Sequence, residues 1–181
     1  MRGRLLLVLC LLLLCAMPSL GWASDPAFAV PVLRPSAGAS WIVSGEREDG
    51  FALHVPVGAL VGWAPNGLAR LFDRTPFLLP ELGYELRVTK NHRSDAFSAG
   101  LGVGYGVLTL AIVSYTPRFT VGSSDGQTAL GFRHSVAGHF LLSVIYLELS
   151  HEVLRAGSIT SHDIQLSAGL NVGTLLIPLF F

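Results

Sequence analysis

The chain of 181 residues has only two cysteines, Cys10 and Cys15, both within its first fifteen positions. Beyond them there is no thiol, so disulfides, thiolate metal sites and cysteine nucleophiles are excluded together. Charge is scarce too: charged residues make up 13% of the chain, with 12 basic against 12 acidic side chains. No basic patch forms, and nucleic acid is not an expected partner. His54, His92, His139, His151 and His162 show no HExxH or comparable ligand spacing, so no metal is expected. No phosphate loop or nucleotide fingerprint is present either. The Gly100–Gly106 series alternates along the chain and does not open a helix. No cofactor is expected.

What is present begins with an export signal. Arg2 and Arg4 precede the apolar run Leu5 to Leu14, Met17-Pro18 breaks that run, and Gly21-Trp22-Ala23 supplies small residues where a signal peptidase reads them. The run is too short for a transmembrane anchor, which needs roughly 20 residues. Cys15 is a poor lipidation site, because Leu14 before it is bulky. Residues 1–23 therefore read as a cleaved signal peptide, with the mature chain starting near Ser24. Residues 24–39, with Pro26, Pro31 and Pro35, read as an irregular periplasmic lead-in, and 40–181 as a β-barrel domain.

The barrel reading rests on alternation. From Asp163 to Gly173, apolar Ile164, Leu166, Ala168, Leu170 and Val172 are separated by Gln165, Ser167, Gly169 and Asn171. Period two places these sets on opposite faces of a strand. Eight strands can be placed: 40–46, 51–63, 81–89, 96–104, 107–121, 127–136, 139–153 and 163–173. Pro56 is awkward inside the second, because proline removes a ladder donor. Polar loops follow strands one, three, five and seven; short links follow four and six, at Tyr105-Gly106 and Ala137-Gly138. Residues 64–80 are the least readable stretch. Residues 96–115 carry no charge and have small-xxx-small spacing, as a membrane helix would. The alternating glycines fit a strand better, and the pattern continues through segments too polar to span as helices.

On this architecture the chain resembles the small eight-stranded outer-membrane β-barrel proteins of double-membraned bacteria. The resemblance covers roughly residues 40–181 and implies an all-β, antiparallel, up-and-down transmembrane barrel in the outer membrane, preceded by the signal peptide. It implies outer-membrane lipid and the barrel-assembly machinery as partners, with Phe181 as part of the assembly signal. Any extracellular partner is unknown. One departure stands out: Leu175, Ile177, Leu179 and Phe181 have the parity opposite to Ile164 and Leu170, and Pro178 interrupts the end. Trp63, Tyr105, Phe140 and Phe180 are expected at the periplasmic rim as an aromatic girdle.

Glu81, Glu85, Arg87, Arg133, Glu148 and Glu152 take the polar parity of their strands. In an eight-stranded barrel they would pair inside the lumen and fill it, leaving no wide pore. Catalytic readings are weak. Ser161-His162-Asp163 and Ser150-His151-Glu152 look like triads in print, but neighbours on a strand do not point at one another. Lipid A deacylases, also eight-stranded barrels, use a His/Ser/Glu set, which draws attention to His134, Ser135 and Glu148. Their motif places serine two residues after the histidine and then asparagine, where this chain has Val136 and Ala137. Ser135 also has the opposite parity to His134. The sequence thus points to a non-enzymatic outer-membrane barrel acting in membrane integrity or through its surface loops. The alternative is a soluble periplasmic lipocalin-like barrel with its apolar faces turned inward around a small apolar ligand.

Overall fold

A computed structural model describes residues 27–45, 48–63, 76–91, 93–108, 111–124, 127–140 and 144–172. The signal peptide lies outside these residues. So do Phe180 and Phe181.

Nine strands are described: β1 (Ala27–Leu33), β2 (Ser36–Ser44), β3 (Gly50–Trp63), β4 (Pro76–Thr89), β5 (Arg93–Leu108), β6 (Ala111–Ser124), β7 (Gln127–Phe140), β8 (Ile145–Ala156) and β9 (Ile159–Leu170). Every pairing is antiparallel. Each of β2 to β9 pairs with the next, and β9 returns to β2, so these eight strands close into a ring, with β1 paired to β3. β1 shares its place in that ring with β2: Leu33 opposes Val57 and Ser36 opposes His54, one unbroken register along β3. The ring therefore has eight staves, the first of them interrupted at Arg34-Pro35. No helix among the described residues is long and apolar enough to cross a membrane.

Following opposed residues once round the ring gives the stagger. The path runs from Ala29 through Val61, Leu78, Val103, Tyr115, Val136, Leu149 and Leu166 to Ala39. It returns to the first stave ten residues further along. Eight strands with that stagger tilt about 40° from the barrel axis, and the bore is narrow enough for side chains to fill.

The lead-in expected at residues 24–39 is corrected from Ala27 onward, because prolines are tolerated here where their missing donor is not needed. Arg34 N–H donates to Pro56 C=O at 3.0 Å, while Pro35 C=O accepts from Leu170 N–H at 3.1 Å. Along the first stave, Arg34 and Pro35 thus face opposite neighbours, and Pro31 shares the parity of Pro35. Pro56 cannot return the bond that Arg34 C=O would receive. The Tyr146 hydroxyl donates to that carbonyl instead. The break in the first stave falls at this residue pair.

Two further boundaries shift. The links expected at Tyr105-Gly106 and Ala137-Gly138 lie inside β5 and β7. Gly106 opposes Ile112 within the β5–β6 ladder and is no turn; a Cβ on nearby Gly104 would overlap the Phe77 ring, and one on Gly138 would sit 3.2 Å from Phe140 on the same strand. The loop expected at 155–162 shrinks to Gly157-Ser158, with Gly157 at φ 59° and Ala156 opposite Ile159. At the same end of the barrel, residues 45–49, 90–92 and 125–126 make the other connections. The polar loops expected there are short, because the strands run almost to their tips.

The two faces have opposite chemistry. Leu82, Phe97, Leu101, Phe119, Leu130, Leu147, Leu149 and Leu166 are exposed on the outside, whereas Arg87, Arg118, Arg133, Glu81, Glu148 and Glu152 are buried. A lipocalin-like barrel would place its apolar face inward. Here that face is turned out, so the expectation of a lipocalin-like barrel with its apolar faces inward is corrected.

Candidate functional site

The lumen is built in storeys, and β4 crosses them all. Its inward residues climb from Phe77 and Leu79 through Glu81 and Gly83 to Glu85 and Arg87. At the base, Phe77 and Leu79 pack with Val32, Leu60 and Ile112 around a cavity that also touches Arg34, His139 and Asn171. His139 Nε2 lies 2.9 Å from Ser114 Oγ, and its ring stacks on Tyr146 at 5.8 Å.

Above this base sits a balanced quartet. Glu81 is shared by Arg34 and Arg118, and Arg118 extends to both oxygens of Glu148 at 2.6 and 3.2 Å. The Arg34 guanidinium also lies 5.3 Å over the Tyr146 ring. Two guanidiniums face two carboxylates, each nearly fully buried.

The third storey is a quintet of Glu85, Arg87, Arg133, Glu152 and Asp163. Arg133 donates to both oxygens of Glu85, one at 2.8 Å, and to Glu152 at 3.0 Å. Arg87 reaches Glu85 at 3.1 Å, Glu152 at 3.2 Å, and Asp163. Two guanidiniums meet three carboxylates, so the quintet has one acid in excess. His54 is buried in register with Glu85, and its Nε2 has no hydrogen-bond partner among the described residues.

Planar forked donors suit shared carboxylates, which is why arginine serves here and lysine would not. Taking these ions out of water carries a large penalty, offset only while each is surrounded by counter-charges. The chemistry is therefore that of a plug. The space at the upper mouth, lined by Glu85, Arg87, Asp95, Thr120 and Glu152, has a volume of about 20 Å³, room for one water-sized molecule.

All six residues expected in the lumen, Glu81, Glu85, Arg87, Arg133, Glu148 and Glu152, lie within these two clusters. Sequence reasoning missed Arg34, Arg118 and Asp163. Arg118 was detectable, since it continues the inward parity of Ser114, Thr116 and Thr120. Asp163 has the parity of Gln165 and Ser167. Arg34 lay in the stretch read as irregular.

The candidate catalytic sets are separated by the sheet. His134 is outside, near Tyr115 and edge-on to Phe132 at 4.6 Å, whereas Ser135 is buried and donates to Thr116 C=O at 3.1 Å. Glu148 is inside with Arg118. Ser161 and Asp163 are buried while His162 is turned outward; Ser150 and Glu152 are buried while His151 is exposed. No group of three or more His, Cys, Asp or Glu among the described residues could hold a metal ion. Of the expected girdle, Tyr105 and Phe140 face outward toward the end of the barrel that carries the β5–β6 and β7–β8 connections. The Trp63 side chain and Phe180 lie outside the described residues.

No family model matches the chain, and no curated protein matches it in sequence. Among solved structures it is similar to the crystal structure of Neisserial surface protein A, at 13% identity and a TM-score of 0.49, over 81% of this chain and 99% of that one. A likeness of that degree carries no inference about activity. The all-β antiparallel barrel class rests on the closed ring of strands itself.

Proposed function

We propose that this chain is a non-enzymatic, side-chain-filled β-barrel of the bacterial outer membrane that contributes to membrane integrity as a closed spanning element. The observation that carries the reading is the inversion of polarity: four arginines and five carboxylates interlock inside a ring whose outside is apolar. An apolar exterior of that extent has a stable environment in hydrocarbon, and ring closure lets the paired strands satisfy one another's backbone groups. Barrels of this kind belong to outer membranes, with both termini on the periplasmic side. The export signal and the assembly role of Phe181 fit the same location. Membrane integrity is favoured over a loop-mediated surface role because the connections at the end opposite the periplasmic one are two to five residues long.

The test has two readouts on one preparation. Membrane fractions are run on SDS gels with and without boiling, and the purified barrel is added to a planar bilayer. The expected results are a heat-dependent shift in migration and no unitary conductance. Recovery in the soluble periplasm without a shift would refute the membrane reading, and a steady ion current would refute the closed lumen.

A further inference from the structure

The two serine–histidine–acid strings are divided by the pleat in the same way, and their histidines meet outside. His151 and His162 stack with ring centroids 5.7 Å apart and planes at 24°. His134 stands directly opposite His151 across the β7–β8 ladder. Val153 opposes His162, and Arg155 follows two residues later on the same face of β8. His162 is thus flanked diagonally by His151 and Arg155, a spacing of about 7–8 Å that long side chains bridge. Arg155 Nε donates to Gly157 C=O at 3.2 Å, which fixes the guanidinium beside the β8–β9 turn.

This sector differs from the rest of the apolar outer face. On β7, β8 and β9 the outward positions include three histidines and one arginine and no carboxylate. Imidazole and guanidinium groups facing hydrocarbon are unfavourable unless they reach an interface or a polar partner. Position supplies the interface. Arg155 is one residue from the end of β8 and His162 is three from the start of β9, so the cluster climbs to the rim beside the Gly157-Ser158 turn. Trp41, Phe51 and Phe132 are exposed on nearby strands, as aromatics at headgroup level are.

We propose that His151, Arg155 and His162, extended by His134, form a binding site for the phosphoryl headgroup of a membrane lipid in the leaflet at this rim. The inference rests on the membrane reading above. His151 and His162 each offer an N–H to a phosphoryl oxygen, His134 does so only through Nε2 because its Nδ1 is engaged with the Tyr115 hydroxyl, and Arg155 offers a forked cation; no acid on these outward faces competes. The apolar neighbours Leu149, Ile164 and Leu166 line the path for acyl chains below.

Trp41 reports on the site, because it opposes Ile164, which opposes His151. In a W22F/W63F background it is the sole indole. The barrel is reconstituted in unbrominated phosphatidylcholine vesicles containing increasing dibrominated phosphatidic acid or, in a parallel series, increasing dibrominated phosphatidylcholine, and Trp41 quenching is compared at equal bromine content. The expected result is a preference for the phosphomonoester lipid of about fivefold, the scale set by one basic side chain at an anionic surface. That preference should vanish in H151L/R155L/H162L, whose folding is checked by the heat-dependent gel shift. H151Q/R155Q/H162Q serves if the leucine variant does not fold.

Equal quenching by both lipids would overturn the site and leave the membrane reading intact. A preference that survives the triple variant would overturn it as well, as bulk charge attraction. A gel-shifted barrel whose Trp41 neither lipid quenches would mean that a second protein copy covers this face. Absence of both shift and quenching would defeat the membrane reading itself.

Discussion

Replacing Arg133 by methionine should damage the barrel far more than replacing Glu85 by glutamine, although the two side chains contact each other. In the intact quintet two guanidiniums hold three carboxylates. R133M leaves Arg87 alone among Glu85, Glu152 and Asp163, with the first two stripped of their nearest cation. Removing one partner of a buried ion pair typically costs about 3–5 kcal/mol, and methionine keeps enough of the packing for charge to dominate. At 1.4 kcal/mol per decade, the folding constant falls by roughly two to three and a half decades. E85Q removes a charge from the side in excess. Two guanidiniums then face two carboxylates; the contacts at 2.8 and 3.1 Å keep an amide oxygen as acceptor, while the second Arg133 N–H meets the amide NH2 and loses its acceptor, about 1.5–3 kcal/mol in all.

The assay is urea unfolding in lipid vesicles, with the folded fraction read from the heat-dependent gel shift. The double variant R133M/E85Q gives the sign of the coupling: it should be more stable than R133M alone, because the uncompensated Glu85 charge is gone. Equal losses for R133M and E85Q, or a loss below about 1 kcal/mol for R133M, would refute the account, since unpaired charge could then not be the controlling quantity.

Three further outcomes follow from particular contacts. Y146F should lose about 1–2 kcal/mol by leaving Arg34 C=O without the Tyr146 donor, and P56A, which restores a backbone N–H opposite Arg34, should recover part of it in a double-variant unfolding series. G104V should be destabilised by about 1–3 kcal/mol because its side chain overlaps the Phe77 ring, and F77L should relieve that loss in the same assay. L101R, on the outer face midway along β5, should cost about 2–4 kcal/mol in vesicles against about 0–1 kcal/mol for V43R near the rim; equal values would argue against a membrane-spanning outer face.

Period-two reasoning reached the fold because each strand separates two chemistries. Glu81, Glu85 and Arg87 against Leu82, Tyr84 and Leu86 can be read without coordinates, and so can Ser114, Thr116 and Arg118 against Val113, Tyr115 and Phe119. Alternation alone does not say which face is inside. That was fixed by ring closure, which gives the charged set a shared, nearly water-free space in which every acid finds a guanidinium. Proline and glycine defeated the local reading. Pro31 and Pro35 suggested irregular chain, and Gly106 and Gly138 suggested turns, although the ladder runs on through Pro31, Gly106 and Gly138.

The missing residues share one cause. Arg34, Arg118 and Asp163 acquire their roles only through partners 47, 30 and 76 positions away, and no local pattern distinguishes a lumen arginine from a surface one. The interruption at Arg34-Pro35 shows how closely fold and plug are joined. Pro56 withholds a donor, Tyr146 supplies it from β8, two staves round the ring, and the same Tyr146 ring lies against the Arg34 guanidinium that holds Glu81. Backbone repair and charge neutralisation thus converge on one residue pair, and from Glu81 the ion pairs run on across the bore through Arg118 to Glu148. A barrel stitched across its own lumen in this way is stiffened by the groups that close it, and that coupling favours a sealed element over a conducting one.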